Sequence, residues 1–300
     1  MNQTPDNLID FLYWVKEQTE LFWSIDPKTS KNEFVCDDWI FGAKWVGLSE
    51  KQIDDTEIKY SISFTPEHRE FLKILHTIDR KEIIEYTDTF DEGAEILIEE
   101  KPFFYNWLTD DVELKERFDW PFDTIYKDVI GSNSVWLKSW GTRPSTDEGI
   151  KKIYSNWFEK TQKLIPLTSH RFLVSDLSLV HRPVLSIWGS DIIVYGWNLR
   201  NYLLRELQDH LNIKKLVYDE EDACYYSELI EEVKSILNEE NTFDEKRDVP
   251  YLKEMILIWS SGWSSFGLKY PRKDDSIIQP IVKTYSPENE TPQQKSFKAF

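Results

Sequence analysis

The chain reads as an α+β protein. Three features predict this: two well-signalled helices early in the chain, β-prone segments gathered in its middle, and a helix directly after them. A parallel α/β fold would instead alternate strand and helix throughout. The 300 residues are 40% hydrophobic and 15% aromatic, with 13 Trp, so the chain carries ample apolar surface for a core.

The elements follow in order. In NLIDFLYWVKEQTELFW, Leu8, Phe11, Leu12, Val15 and Phe22 recur near helical period, which predicts an amphipathic helix. The polar SIDPKTSKNEF then reads as a loop. After Gly47, Ser49 with Gln52 three residues on forms a capping box, and Ile53, Glu57 and Tyr60 share one face of the helix it opens. Thr65 as N-cap and Pro66 at the first helical position open a second helix, with Phe71, Leu72, Leu75 and Ile78 as its buried stripe. KEIIEYTDTF is β-prone. TDDVELKERF reads as a short helix capped by Thr109, with acids in its first turn. FDTIYKDVIGSNSVWLKSWG alternates and turns near Gly131 to Asn133, which predicts a hairpin. DEGIKKIYSNWFEKTQKLIP is read as helical up to Pro166, and HRFLVSD as a strand. PVLSIW and DIIVYG are expected to pair around Gly189 and Ser190. Asn198 is the expected N-cap of NLRNYLLRELQDHL, while CYYSELIEEVKSILNEEN and YLKEMILIWSSGW are read as further helices. From Pro271 onward the chain lacks apolar periodicity and is expected to be irregular.

The charge balance narrows the function. A formal net charge of -18 repels nucleic acid and anionic membranes and favours a basic partner. The start of the chain has no basic segment ahead of an apolar one, and no apolar run approaches a membrane span; the expectation is a cytoplasmic protein. Cys36 and Cys224 form neither a disulfide framework nor a zinc site. No Gly-rich phosphate loop is present, and neither Ser186 nor Ser190 sits in a nucleophile elbow. Glu113 and Lys115 mimic the acid-x-Lys pattern of metal-dependent nucleases, yet lie where helix-start chemistry dominates. His170 and His181 with Asp176 or Asp191 are the one constellation that hydrolytic chemistry could use. The expectation is therefore a protein without catalytic, cofactor-binding or metal-binding residues. Asp219, Glu220, Glu221 and Asp222 form a run of four acids, read either as the solvated face of a helix or as a surface that meets a basic partner.

GLSEKQIDDTEIKYSISFTPEHREFLKIL resembles the opening of the SUKH superfamily, the Smi/Knr-like proteins: Gly47, Glu57, Pro66, Phe71 and Leu72 match its pattern in order. DWPFDTIYKDVIGSNSVWLKSWGTRP, KLIPLTSHRFLVSD and PVLSIWGSDIIVYGWNLRNYLLREL are similar to later elements of a long bacterial branch. Ser169 and the Gly189-Ser190 pair depart from that pattern. The resemblance covers 45–207 and implies a central, mainly antiparallel sheet flanked by helices there; outside it the chain is read as an N-terminal helical extension over 1–44, a C-terminal one over 208–270 packed on the domain and an irregular tail over 271–300. It implies no enzyme activity, and a role as an immunity protein that binds and neutralises a cognate toxin, frequently a basic nuclease. An intracellular scaffold on the same fold is the alternative. Candidate partner-facing residues are Trp188, Asp191, Tyr195 and Trp197 on the second face of the strand pair, and Asp219 to Asp222.

Overall fold

The computed structural model describes residues 4–31, 34–87, 96–131, 134–238 and 247–263; the tail read as irregular lies outside them. The chain is α+β. Its described elements are α1 (Leu8–Trp23), β1 (Trp45–Val46), α2 (Glu50–Tyr60), α3 (Pro66–Leu75), β2 (Thr77–Ile78), β3 (Lys81–Thr87), β4 (Ile96–Pro102), α4 (Asp111–Ile130), α5 (Asp147–Phe158), β5 (Lys163–Thr168), β6 (Arg171–Ser175), β7 (Val184–Trp188), β8 (Asp191–Gly196), α6 (Leu199–Glu206), β9 (Lys214–Asp219), β10 (Cys224–Leu229), α7 (Glu231–Asn238) and α8 (Leu252–Trp263). Strands β5-β6-β7-β8 form an antiparallel meander, and β1-β2, β3-β4 and β9-β10 pair as separate two-stranded ribbons.

Local chemistry accounts for the helix starts. The side chain of Ser49 accepts from the backbone of Gln52, and Gln52 reaches back to the Ser49 amide at 2.9 Å, closing the expected capping box. Thr65 caps α3 with Pro66 in its first turn, and Asn198 caps α6. Glu57 accepts from the Phe64 amide at 2.6 Å and from Arg69 at 2.7 Å, so it ties α2 to the start of α3. Gly47 is required by close approach: a Cβ there would lie 1.9 Å from the Lys73 carbonyl oxygen, while the next amide, of Leu48, donates to Leu72 at 2.9 Å. Gly47→Ala is expected to cost about 2–3 kcal/mol through overpacking against backbone that cannot yield. A lowered urea midpoint with unchanged slope would show it.

Two apolar cores sit on opposite faces of the meander. Leu173 and Val184 point to the first, with α1, α3 and α6. Phe172, Val174, Leu185, Ile187, Ile192 and Val194 point to the second, with α4, α5 and α8. Phe11, Leu12, Val15 and Trp23 of α1 are fully buried in the first core beside Leu72 and Tyr202, so this helix is part of the packing of the central elements.

Several elements differ from expectation. Residues 111–130 form one helix, not a short helix and half a hairpin. Pro121 reads as a breaker but lies inside α4 and is buried; Leu114, Ile125 and Val129 supply a helical stripe that outweighs one lost backbone hydrogen bond. Asp110 rather than Thr109 occupies the N-cap position, and its side chain instead receives Lys81 at 2.7 Å and the Asn106 amide at 2.8 Å. The segment expected to be helical up to Pro166 leaves its helix at Phe158, and Pro166 sits in β5, an edge strand, next to a register shift. Cys224–Leu229, expected to begin a helix, is strand β10; the β-prone Cys-Tyr-Tyr start pairs with β9, and the helix begins only at Glu231.

Candidate functional site

The eight residues expected to face a partner separate into two places of different electrostatic character. At the β7–β8 turn, Trp188 is 63% exposed and lies opposite Asp191 in the strand register. Gly189 has φ +60°, and a Cβ there would lie 2.4 Å from Asp128 Oδ2. That carboxylate accepts from both the amide and the hydroxyl of Ser190 at 2.7 Å, so α4 holds the turn that presents Trp188. Burial and the neighbouring Asp128 raise the Asp191 carboxyl above its ordinary range.

The surroundings of Trp188 are aromatic and carry charges of both signs. Trp120 packs at 5.4 Å with Arg117 over its ring, and His170 meets Trp188 edge-on at 5.6 Å. Tyr195 is half-buried beneath Arg171, whose guanidinium lies 3.8 Å from the ring and also binds Glu206 and Ser186. Burial, together with Arg171, Arg117 and Lys101, lowers the His170 pKa to about 4. Trp197 does not belong to this surface: it is 2% exposed, in the second core. The strand ends at Gly196, where α6 presses so close that a Cβ would meet the Tyr202 amide at 2.5 Å, and the chain turns Trp197 inward as it enters that helix.

The four acids lie elsewhere and in a different element from the one expected. Asp219 ends β9 and Cys224 begins β10, so Asp219 to Asp222 form a hairpin tip rather than a helix face. Asp219 Oδ1 accepts from the amides of Glu221 at 2.8 Å and Asp222 at 3.3 Å, which closes the turn on its own side chain. Behind the tip, Tyr218 and Tyr225 are cross-strand partners with rings 5.0 Å apart, and they are 50% and 68% exposed. Leu216 lies two residues before Tyr218, on the same face of the ribbon. It lines a groove of about 480 Å³ shared with Leu21, Phe22 and Ile25 at the end of α1 and with Phe34. The hairpin therefore combines an acidic tip, an aromatic pair and an apolar recess.

Sequence reasoning missed Leu21, Phe34, Leu216, Tyr218 and Tyr225. Leu21 offered a faint signal, as a large apolar residue off the buried stripe of α1. Tyr225 offered none while its segment was read as helix, and Tyr218 lay between the two segments read as helices.

The histidines do not converge. His170 precedes Arg171, which pairs with Ser186 near the β7–β8 turn; His181 precedes Val184, which pairs with Leu173 toward the opposite end of the strand pair. Asp176 lies beyond the His181 end and accepts from Ser178, and Asp191 lies at the His170 end. Glu113 and Lys115 stand in the first turns of α4, where helical geometry does not align them as a strand would. Among the described residues, no group of three or more His, Cys, Asp or Glu is placed to hold a metal ion. No helix among them is long and apolar enough to cross a membrane.

No family model matches the chain, and neither a curated protein nor a solved structure matches it.

Proposed function

We propose that this protein acts by binding a basic protein partner and blocking it, as an immunity protein blocks its cognate toxin. The observation that carries this reading is the β9–β10 hairpin, which projects four consecutive acids on an exposed turn directly ahead of an exposed tyrosine pair. An acidic tip steers a cationic surface into contact, and aromatic residues behind it supply desolvated area that slows dissociation. The formal charge of -18 extends the attraction beyond the contact itself. The motif order similar to SUKH proteins agrees with a binding role but does not choose the surface. By sign of charge, the hairpin, with four acids in a row, suits a basic partner better than the β7–β8 turn, where Arg117 and Arg171 stand among Asp128, Asp191 and Glu206.

Co-expression with the toxin encoded beside its gene tests the reading. Rescue of growth and co-purification of a stable complex, weakened by salt, is the expected result. Growth arrest undiminished by this protein, with no complex at low salt, would contradict it. Housekeeping partners in place of a toxin would favour a scaffold role.

A further inference from the structure

Resting on the reading above, we propose that the groove between the end of α1 and β9 is the anchor pocket of the interface. Its occupant is a large aliphatic or aromatic side chain of the basic partner, set roughly 10 Å from a cluster of Lys or Arg that meets the hairpin tip.

The spacing comes from the ribbon. Leu216 lines the groove, Tyr218 stands two residues further on with Tyr225 beside it, and Asp219 opens the tip. Three strand residues span roughly 10 Å, so groove, aromatic pair and acids form one stripe along a single element. The groove is apolar where it counts: Leu21 is 63% exposed, Leu216 41% and Phe34 40%, a cluster of water-facing apolar side chains that a soluble protein seldom gathers without use. Gln18, Lys31 and Asn212 complete its lining. An apolar recess bordered by polar groups is the form that interface hot spots take, and here the ionic contacts belong to the acidic tip outside it.

The same charge that selects a basic occupant disfavours a second copy of this chain. Two copies meeting through this stripe would bring two runs of four acids together on bodies of formal charge -18. In the partner, the separation corresponds to about three residues of extended chain or about seven of helix.

The test uses the full-length protein and fluorescein-labelled peptides carrying one Phe and a run of three Lys, separated by one, three or six Gly-Ser residues. A Phe→Ser version of each and a scrambled peptide of equal charge complete the set. Anisotropy is read at low and at moderate salt. The three-residue spacer should bind tightest, and its Phe→Ser version should bind about tenfold more weakly, as expected for one buried aromatic anchor. On Phe34→Ser or Leu216→Ser protein the Phe and Ser peptides should bind alike, because anchor and pocket form one energetically coupled pair. Both substitutions replace partly exposed side chains, and circular dichroism with thermal melting establishes that the fold persists. A Phe effect that survives both protein substitutions, indifference to spacer length, or no binding by any peptide would overturn the groove. Binding that needs Asp219 to Asp222 but ignores the Phe would remove the groove and leave the basic-partner reading standing. Failure of the co-expression rescue, by contrast, counts against that reading itself.

Discussion

Replacing Asp219, Glu220, Glu221 and Asp222 together by Asn, Gln, Gln and Asn is expected to slow association with the basic partner by about 10- to 100-fold at low salt. The change takes the formal charge only from -18 to -14, so a loss of that size would mark local steering rather than the field of the whole chain. The fold should survive. The acids lie in an exposed turn, and Asp219, the one among them that closes it, keeps an acceptor oxygen as Asn. Surface plasmon resonance at several salt concentrations reads the effect. Wild type and variant should converge as the Debye length falls to about 3 Å near 1 M salt. Dissociation should change less than association, because the tyrosine pair and the groove remain.

Acidification from pH 7 to pH 5 is expected to destabilise the protein by several kcal/mol, through histidines buried in neutral form. Burial lowers His68 to about 3 and His76 to about 4, against an ordinary value of 6.5, and it also lowers His170, to about 4, and His210. His76 Nε2 accepts from the Trp107 amide at 2.9 Å, whereas neither ring nitrogen of His68 has a hydrogen-bond partner among the described residues. Because the folded-state values are depressed, the unfolded chain binds more protons below pH 6.5. The stabilising contribution is thus complete above pH 6.5 and declines as pH falls toward 4 and then 3. Each depressed histidine contributes a slope of about 1.4 kcal/mol per pH unit within its window. The carboxylates with lowered values, Glu50, Asp79, Asp111, Asp176, Glu228 and Glu232, respond only nearer their own ordinary values of 4.5 and 3.8, and the raised Asp191 and Glu206 act with the opposite sign, so a loss of stability between pH 6.5 and 5 reports the histidines. Urea unfolding across that interval measures the slope. His68→Leu should remove about a quarter to a third of it, since the ring packs against Phe64 and Phe71 and gives up no hydrogen bond. His76→Leu should instead cost stability at every pH, by leaving the buried Trp107 amide unpaired.

Where local chemistry dictates structure, the sequence was legible. The Ser49–Gln52 box, Thr65 with Pro66 and Asn198 stand where their residue types place them, because each satisfies a particular backbone group within a few residues. Misreadings arose where packing outside the segment decides. Pro121 is tolerated because α4 packs along its whole length, and Cys224–Leu229 becomes a strand because Lys214–Asp219 is there to pair with it. The candidate site was half legible. Its acids were visible as a run, and Trp188, Asp191 and Tyr195 do share a sheet face by alternation. The inward turn of Trp197 and the groove were not visible. The first depends on how closely α6 folds back on the end of β8, the second on how α1 packs beside β9, far away in sequence.

Hydrogen exchange of this protein, alone and bound to the proposed basic partner, tests the central claim most directly. Slowed exchange over Lys214–Leu229 and at the end of α1 near Leu21, with the β7–β8 turn unchanged, is the predicted footprint. A stable complex whose protection lies around Trp188 and Asp191, leaving the acidic hairpin to exchange as freely as before, would contradict it.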